Sequence, residues 1–288
     1  MVKFYVLTSG HFTALLRHNS PKYNNIPKED TIIVINSLDQ DYIKKAEKYC
    51  KDVGIEYYIT ESNGTPAKGK NSVLDLFLAS DNDYCVMIDG DDFLTQHGVE
   101  YYKSVENKKV VPDALCLKDG LIIKTIDGKD KLFTIKKETH YVSVEELYRR
   151  YSLIEGIEHE QALELANSMS KLVDTQKYLE LNQTFNRVTW LSKKAAQFRF
   201  DEDVVISEDT LHFLTLKDQA IKNKLKVYTL YENPATYIYD NRNESTVFKY
   251  SKNETDLSWV HVFKNKLDIM EKESKLHLNV YLKEYRFI

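Results

Sequence analysis

The sequence predicts an α/β fold in which a mostly parallel central sheet is flanked by helices. Three observations support this prediction. Apolar runs alternate with segments of helical periodicity through the first part of the chain. The run Tyr84–Ile88 is almost continuously apolar, which is typical of a strand buried on both faces. Polar residues follow the strands directly, and in open α/β sheets ligands bind at that end of the strands.

The first elements follow in a β-α-β order. Strands are predicted over Val2–Leu7 and Thr31–Ile35, because each is an apolar run that ends at polar residues. A helix is predicted over Asp41–Val53, where apolar residues recur at helical spacing and Gly54 follows as a stop. A short strand is predicted over Ile55–Ile59.

A second helix and the next strand complete the pattern. Val73, Leu74, Phe77 and Leu78 mark the buried face of this helix, which leads into the strand that begins at Tyr84. The order β-α-β-α-β places the ends of the strands at Asn36 and Asp89 on the same edge of the sheet.

Composition sets the class of protein. A chain of 288 residues with 42% hydrophobic and 29% charged residues can bury a full core as one large domain, with or without an appendage. The net charge of −4 gives no reason to expect strong non-specific binding of nucleic acids. No apolar stretch reaches the length of a bilayer span, and the start of the chain runs straight into a strand, which favours the cytoplasm. The cysteines, Cys50, Cys85 and Cys116, are predicted to be core thiols.

The residues Asp89, Gly90, Asp91 and Asp92 carry the clearest chemical signal. Carboxylates this close repel one another unless a cation lies between them. Hard oxygen ligands suit Mn²⁺ or Mg²⁺, and a diphosphate would supply further oxygens. The alternative is a solvated acidic turn, since Asp and Gly are common turn residues.

Several segments, in this order, resemble the nucleotide-sugar-binding half of glycosyltransferase family 2, which has the GT-A fold. They are Asn36–Asp39, Asn63–Asn71 and Met87–Asp92. Two later matches are Phe200-Asp201-Glu202 and the Glu208-Asp209 pair before a helix. The resemblance implies an inverting enzyme that transfers a sugar from a nucleoside-diphosphate sugar, with a UDP-sugar favoured, to an acceptor hydroxyl.

The resemblance also implies a set of site residues. Asp209 would take the proton from the acceptor, and Glu208 would orient the acceptor or Asp209. Asp91 and Asp92 would hold the Mn²⁺ or Mg²⁺ ion. The contacts to the nucleotide sugar would come from Thr8, Asn36, Asp39, Lys70, Asn71, Asp89, Gly90 and Arg242.

Three of these assignments have alternatives. Either Asn36 or Asp39 could read the nucleobase, since an amide and a carboxylate present different hydrogen-bonding groups to it. Glu208 and Asp209 could simply complement the dipole of the helix that they begin. Arg242 could belong to an ordinary polar turn.

The predicted domain organisation has two parts. Residues 1–250 would form the glycosyltransferase domain, with the nucleotide-sugar half at 1–110 and the acceptor half at 111–250. A helical insertion at about 142–181 would lie over the acceptor side or only pack against it. Residues 251–288 would form a helical extension that could support a homo-oligomer.

The acceptor and the reaction class leave several hypotheses. The acceptor could be a glycan, a protein or a modified DNA base. Abundant Lys, Asn, Ile and Tyr resemble proteins of AT-rich bacteria and their large phages, so a phage enzyme acting on hydroxymethylcytosine is one alternative. A nucleotidyltransferase would also use acids and a metal, but Lys68–Lys70 is a poor triphosphate loop. A non-catalytic module that binds nucleotide sugars or Ca²⁺ is the third class.

Overall fold

The computed structural model describes residues 1–17, 26–92, 94–117, 120–126, 129–135, 187–205, 208–222, 224–230 and 237–240, together with residues 159–160, 163, 265–266, 269 and 272–273. The strands within these ranges are β1 (Val2–Thr8), β2 (Thr31–Asn36), β3 (Glu56–Thr60), β4 (Tyr84–Asp89), β5 (Ala114–Leu117), β6 (Gly120–Ile126), β7 (Lys129–Ile135), β8 (Arg187–Ser192), β9 (Val227–Leu230) and β10 (Ile238–Asp240). The helices are α1 (Phe12–Arg17), α2 (Gln40–Val53), α3 (Pro66–Ala79), α4 (Gln96–Val105) and α5 (Glu208–Ile221). Short 3₁₀ turns cover Lys28–Asp30 and Ala195–Gln197.

A central sheet of seven strands has the order β3-β2-β1-β4-β8-β5-β9. The pairs β3–β2, β2–β1, β1–β4 and β5–β9 are parallel. Strand β8 runs antiparallel to both of its neighbours, β4 and β5. The predicted fold class, a mostly parallel sheet flanked by helices, is therefore confirmed. A smaller sheet has the order β10-β6-β7.

Local sequence signals explain where the helices begin and end. Asp39 caps α2, because its carboxylate accepts hydrogen bonds from the backbone N–H groups of Asp41 and Tyr42. Gly54 ends α2 in the left-handed conformation, with φ of 67°. Thr65 caps α3. These boundaries agree with the helix predicted over Asp41–Val53.

The core lies on both faces of the central sheet. One face packs β1 and β2 against apolar residues of α2 and α4. The other face packs β1, β2 and β4 against α3 and α5. The cysteine side chains are buried free thiols, which confirms the prediction of core thiols.

Two predicted segments lie almost wholly outside the described residues. These are the insertion at about 142–181 and the extension at 251–288, so the predicted division into domains stays a prediction. One residue of the extension, Lys266, forms an ion pair with Asp201 at 2.8 Å. Within the described part of the chain, no helix has the length and apolar character needed to cross a membrane.

Gly90 occupies a position where two strand ends pass close together. A Cβ atom at Gly90 would lie 2.6 Å from the backbone oxygen of Leu7 and 2.9 Å from Cβ of Thr8. A side chain at this position would therefore push the ends of β4 and β1 apart. The requirement for glycine here comes from this close approach.

We expect Gly90→Ala to lower the free energy of unfolding by roughly 1–3 kcal/mol, the usual cost of overpacking. Gly10→Ala is the matched control, because a Cβ atom there meets nothing within 4 Å. Denaturant titrations of both variants measure the effect. Equal stability of the two variants would contradict the close approach at Gly90.

Candidate functional site

The ends of β1, β2 and β4 form one edge of the sheet, as the parallel pairing requires. Thr8 pairs with Ile35, and Leu7 pairs with Asp89. The Asn36 side chain, 3% exposed, donates hydrogen bonds to Oγ1 of Thr60 at 2.9 Å and to the backbone oxygen of Glu61 at 2.8 Å. Thr8, Asn36 and Asp89, which were predicted to contact the nucleotide sugar, therefore lie at this edge.

Thr8 and Asp39 lie beside the same edge in different surroundings. The hydroxyl of Thr8 is buried and contacts that of Tyr42. Asp39 is exposed, and its Oδ1 atom caps α2. The structure thus engages both Asn36 and Asp39 in protein hydrogen bonds, and the residue that reads the base stays a prediction.

Asp89, Asp91 and Asp92 converge just beyond the end of β4. A carboxylate oxygen from each lies within 4.8 Å of one from each of the others. This donor set fits a hard divalent cation such as Mn²⁺ or Mg²⁺, which prefers carboxylate oxygens. The acids are almost adjacent in the sequence, and the predicted binding of an ion by Asp91 and Asp92 stays a prediction.

The carboxylate of Asp92 is fully buried and held on both oxygens. The Tyr237 hydroxyl donates to Oδ2 at 2.6 Å, and the backbone N–H of Asp240 donates to Oδ1 at 3.0 Å. The same hydroxyl accepts the backbone N–H of Asp89 at 3.3 Å. Tyr237 therefore ties the segment that carries β10 to the acidic cluster.

Arg187 is a member of this site that sequence reasoning missed. Its Nη2 atom lies 2.6 Å from Oδ1 of Asp89, and its Nη1 atom lies 3.5 Å from Oδ2 of Asp92. The contact with Asp89 is an ion pair without hydrogen-bond geometry, since this oxygen has no hydrogen-bond partner within the described residues. The guanidinium also lies 4.9 Å from the ring centre of Tyr237.

The register of β8 explains how Arg187 reaches the acids. In the antiparallel pairing, Val86 lies opposite Trp190 and Tyr84 lies opposite Ser192. Continuing that register places Arg187 opposite Asp89. The signal in the sequence is a single charged residue at the start of the apolar run Val188–Leu191.

The environment separates the pKa values of the acids. Burial disfavours ionisation of Asp89, but the charges of Arg187 and Lys70 outweigh it and lower its pKa below the ordinary value. Burial and the neighbouring carboxylates raise the pKa of Asp91, and that of Asp92 rises well above its ordinary value. A bound divalent cation would favour the charged forms.

Lys70 connects α3 to the start of α5. Its side chain is 3% exposed, and Nζ lies 2.7 Å from Oε1 of Glu208 and 2.5 Å from Oδ1 of Asp209. Burial opposes the charge of Lys70, but the carboxylates of Asp209, Glu208 and Asp89 outweigh it and raise the pKa. Burial raises the pKa of Glu208. The sequence predicted a contact from Lys70 to the nucleotide sugar, and the observed contacts are with these acids.

Asn71 fastens α3 to the segment before α5. Its Nδ2 atom donates to the backbone oxygen of Phe200 at 3.0 Å and to Oε1 of Glu202 at 2.8 Å. Its Oδ1 atom accepts the backbone N–H of Phe200 at 2.9 Å. The family resemblance covers both Asn71 and Phe200-Asp201-Glu202, but it did not predict a contact between them. The predicted role of Asn71 in donor binding stays a prediction.

His212 lies one turn beyond Glu208 and is 1% exposed. Its ring stacks on Phe200 with centroids 3.8 Å apart, and Nε2 donates to the backbone oxygen of Phe198 at 2.9 Å. Within the described residues, Nδ1 has no hydrogen-bond partner. Burial lowers the pKa of His212 to about 4. The imidazole is therefore neutral near pH 7.

Two predicted site residues remain, Gly90 and Arg242. Gly90 lies within the acidic cluster. Arg242 lies outside the described residues.

Comparison with known proteins gives a likeness of fold. No protein-family model and no curated protein sequence matches the chain. The crystal structure of S. aureus TarS residues 1–349 in complex with UDP-GlcNAc has a TM-score of 0.56 at 13% identity, over 97% of this chain and 69% of that one. The mannosyltransferase PcManGT from Pyrobaculum calidifontis, in complex with GDP-Man and Mn²⁺, has a TM-score of 0.42 at 10% identity, over 83% and 56% of the two chains. The first likeness indicates a shared fold, and the second TM-score is too low to add to it.

The lowered pKa of His212 predicts a specific dependence of stability on pH. Between pH 6.5 and about 4, the unfolded chain binds a proton at this residue and the folded chain does not. Stability should therefore fall as the pH drops through this window, by at most about 3 kcal/mol from His212 alone.

Denaturant unfolding at pH 7 and pH 4.5 measures this loss in the parent protein and in His212→Gln, whose amide can still donate to Phe198. The parent should lose more stability than the variant between these pH values. An equal loss in both proteins would contradict the assignment of a neutral buried imidazole.

Proposed function

We propose that this chain is a metal-dependent, inverting glycosyltransferase that moves a sugar from a nucleoside-diphosphate sugar to an acceptor hydroxyl. The observation that supports it best is the convergence of two acidic groups from distant parts of the sequence. One group ends β4 and the other begins α5, and the buried ammonium of Lys70 is influenced by the charges of both. A solvated acidic turn or a simple helix-dipole effect would not require this buried cation.

Asp209 is the proposed general base. Its side chain is 30% exposed, whereas that of Glu208 is 10% exposed, so Asp209 is the acid that an acceptor can reach. Lys70 holds both carboxylates and would keep Asp209 oriented. In the reaction, the acceptor oxygen bonds to the anomeric carbon as the bond to the diphosphate oxygen breaks, and the acceptor proton passes to Asp209. Attack from the face opposite the leaving group gives inversion.

Asp91 and Asp92 are the proposed holders of a Mn²⁺ or Mg²⁺ ion. Within the described residues, no side chain donates a hydrogen bond to Asp91, which leaves its carboxylate available. Asp92 is fixed by Tyr237 and by the backbone of Asp240. Bound there, the ion would neutralise charge that develops on the leaving diphosphate. Asp89 would contact the ribose or support the metal site.

The proposed donor is a UDP-sugar. The resemblance to glycosyltransferase family 2 favours it, and the TarS structure that shares the fold is a complex with UDP-GlcNAc. The proposed acceptor carries a free hydroxyl on a glycan, a protein or hydroxymethylated DNA. We further propose a cytoplasmic location and assembly as a homo-oligomer.

A donor and acceptor screen with Mn²⁺ tests the function. Nucleotide sugars are incubated with each acceptor class, and the released nucleotide is identified. Release of a nucleoside diphosphate supports glycosyl transfer, whereas release of pyrophosphate from a nucleoside triphosphate and a sugar phosphate indicates a nucleotidyltransferase. Binding of the nucleotide sugar without release under any condition indicates a non-catalytic module.

Asp91→Asn and Asp92→Asn should each remove most of the metal-dependent activity, because a charged ligand becomes neutral at nearly constant shape. Binding of Mn²⁺ in the presence of UDP should weaken in both variants. Asp92→Asn should also lower the melting temperature, because an amide has only one acceptor oxygen where the carboxylate accepts both the Tyr237 hydroxyl and the Asp240 N–H. Asp52→Asn, on the surface of α2, is the control and should change neither the activity nor the binding of Mn²⁺. Full activity of both site variants with unchanged Mn²⁺ dependence would exclude the metal assignment.

Asp209→Asn should lower transfer by roughly 10²–10⁴-fold, the usual contribution of a positioned general base, while donor binding persists. The fold should survive, because Lys70 keeps Glu208 as a partner. Asp218→Asn, further along α5, is the control. It should lose stability and retain transfer, since Asp218 pairs with Lys222. Preserved transfer in Asp209→Asn would remove this residue from the mechanism.

A further inference from the structure

Arg187 places a permanent positive charge inside the acidic cluster. The residue is 5% exposed, and its guanidinium contacts Asp89 at 2.6 Å and Asp92 at 3.5 Å. The cluster therefore consists of three carboxylates and one built-in cation. Arg187 therefore already neutralises part of the negative charge of these carboxylates, which a metal ion would otherwise neutralise.

The guanidinium is fixed in place by more than these acids. The ring of Tyr237 lies 4.9 Å from Cζ of Arg187, and the hydroxyl of Tyr237 donates to Asp92. Arg187 therefore packs on the same ring whose hydroxyl holds Asp92. Within the described residues, its Nε atom has no hydrogen-bond partner.

A divalent cation that binds to this cluster meets both attraction and repulsion. The carboxylates attract it, but the Arg187 charge lies in contact with two of them and repels it at short range. A diphosphate that arrives with the cation brings further negative charge and offsets this repulsion. The affinity for the free cation should therefore be lower than that for the cation together with a nucleotide.

We propose that Arg187 is a positioning residue that makes binding of the divalent cation depend on the donor's diphosphate. It keeps Asp89 and Asp92 in place before the donor binds, and it weakens the cluster's affinity for the free ion. This inference rests on the proposed function, because it assumes that Asp91 and Asp92 hold the ion.

The test measures Mn²⁺ binding by titration, with electron paramagnetic resonance of the free ion as the readout. Each protein is titrated with MnCl₂ alone and with MnCl₂ plus saturating UDP. Arg187→Met removes the charge at similar length, and Arg187→Lys retains it. Lys193→Met is the matched control, because it removes one positive charge just beyond the opposite end of β8, where Lys193 contacts the backbone oxygens of Leu78 and Ser80.

The parent should bind Mn²⁺ at least about tenfold more tightly with UDP than without it. Arg187→Met should bind Mn²⁺ alone at least about tenfold more tightly than the parent does, and its enhancement by UDP should shrink accordingly. Arg187→Lys and Lys193→Met should both resemble the parent. If Arg187→Met does not fold, as judged by its melting curve, Arg187→Gln replaces it in the same comparison.

Two results would overturn the inference about Arg187 without overturning the proposed function. In both, the parent binds Mn²⁺ with UDP, so the proposed function survives. Unchanged binding of Mn²⁺ alone in Arg187→Met would assign Arg187 a purely structural role. A loss of UDP affinity with no gain for Mn²⁺ alone would make Arg187 a ligand of the diphosphate. Failure of the parent to bind Mn²⁺ even with UDP would instead overturn the metal-dependent function, and this inference with it.

Discussion

The site depends on the neutralisation of buried and half-buried carboxylates by two buried cations. Lys70 contacts Glu208 and Asp209, and Arg187 contacts Asp89 and Asp92. Each cation loses hydration on burial, and its acidic partners compensate for that loss. Neither the acids nor the cations would be stable in these positions without the other group. The positions of the acids are therefore fixed by residues that are remote from them in the sequence.

A single antiparallel strand makes one of these pairings possible. Strands β1, β2 and β4 run in the same direction, so their polar ends meet at one edge. Strand β8 runs against β4, and its first residue therefore lies where β4 ends. A parallel strand in that place would carry its first residue to the opposite edge. Because β8 is antiparallel to β4, Arg187 lies at the same edge of the sheet as Asp89, Asp91 and Asp92.

Sequence reasoning was accurate where the signal was local. The bounds of β1, β2 and α2 agree with the predicted ones to within one residue, because apolar periodicity, Asp39 and Gly54 specify them. The acidic cluster was also local, since its members are almost adjacent. Arg187 could not be assigned, because its partner depends on the direction and register of β8. Likewise, Lys70 was predicted to contact the donor, and its acidic partners lie far along the chain.

Helix α3 links the two halves of the site through consecutive residues. Lys70 holds the carboxylates that begin α5, and Asn71 holds the backbone of Phe200 in the segment before it. His212 stacks on the same Phe200 from α5, and Nζ of Lys70 lies 5.4 Å from its ring centre. Phe200 is therefore packed between groups from both helices. Gly69 of α3 lies against the side chain of Asn36, and the next residue, Lys70, contacts Asp209, so α3 connects the predicted donor site to the proposed base.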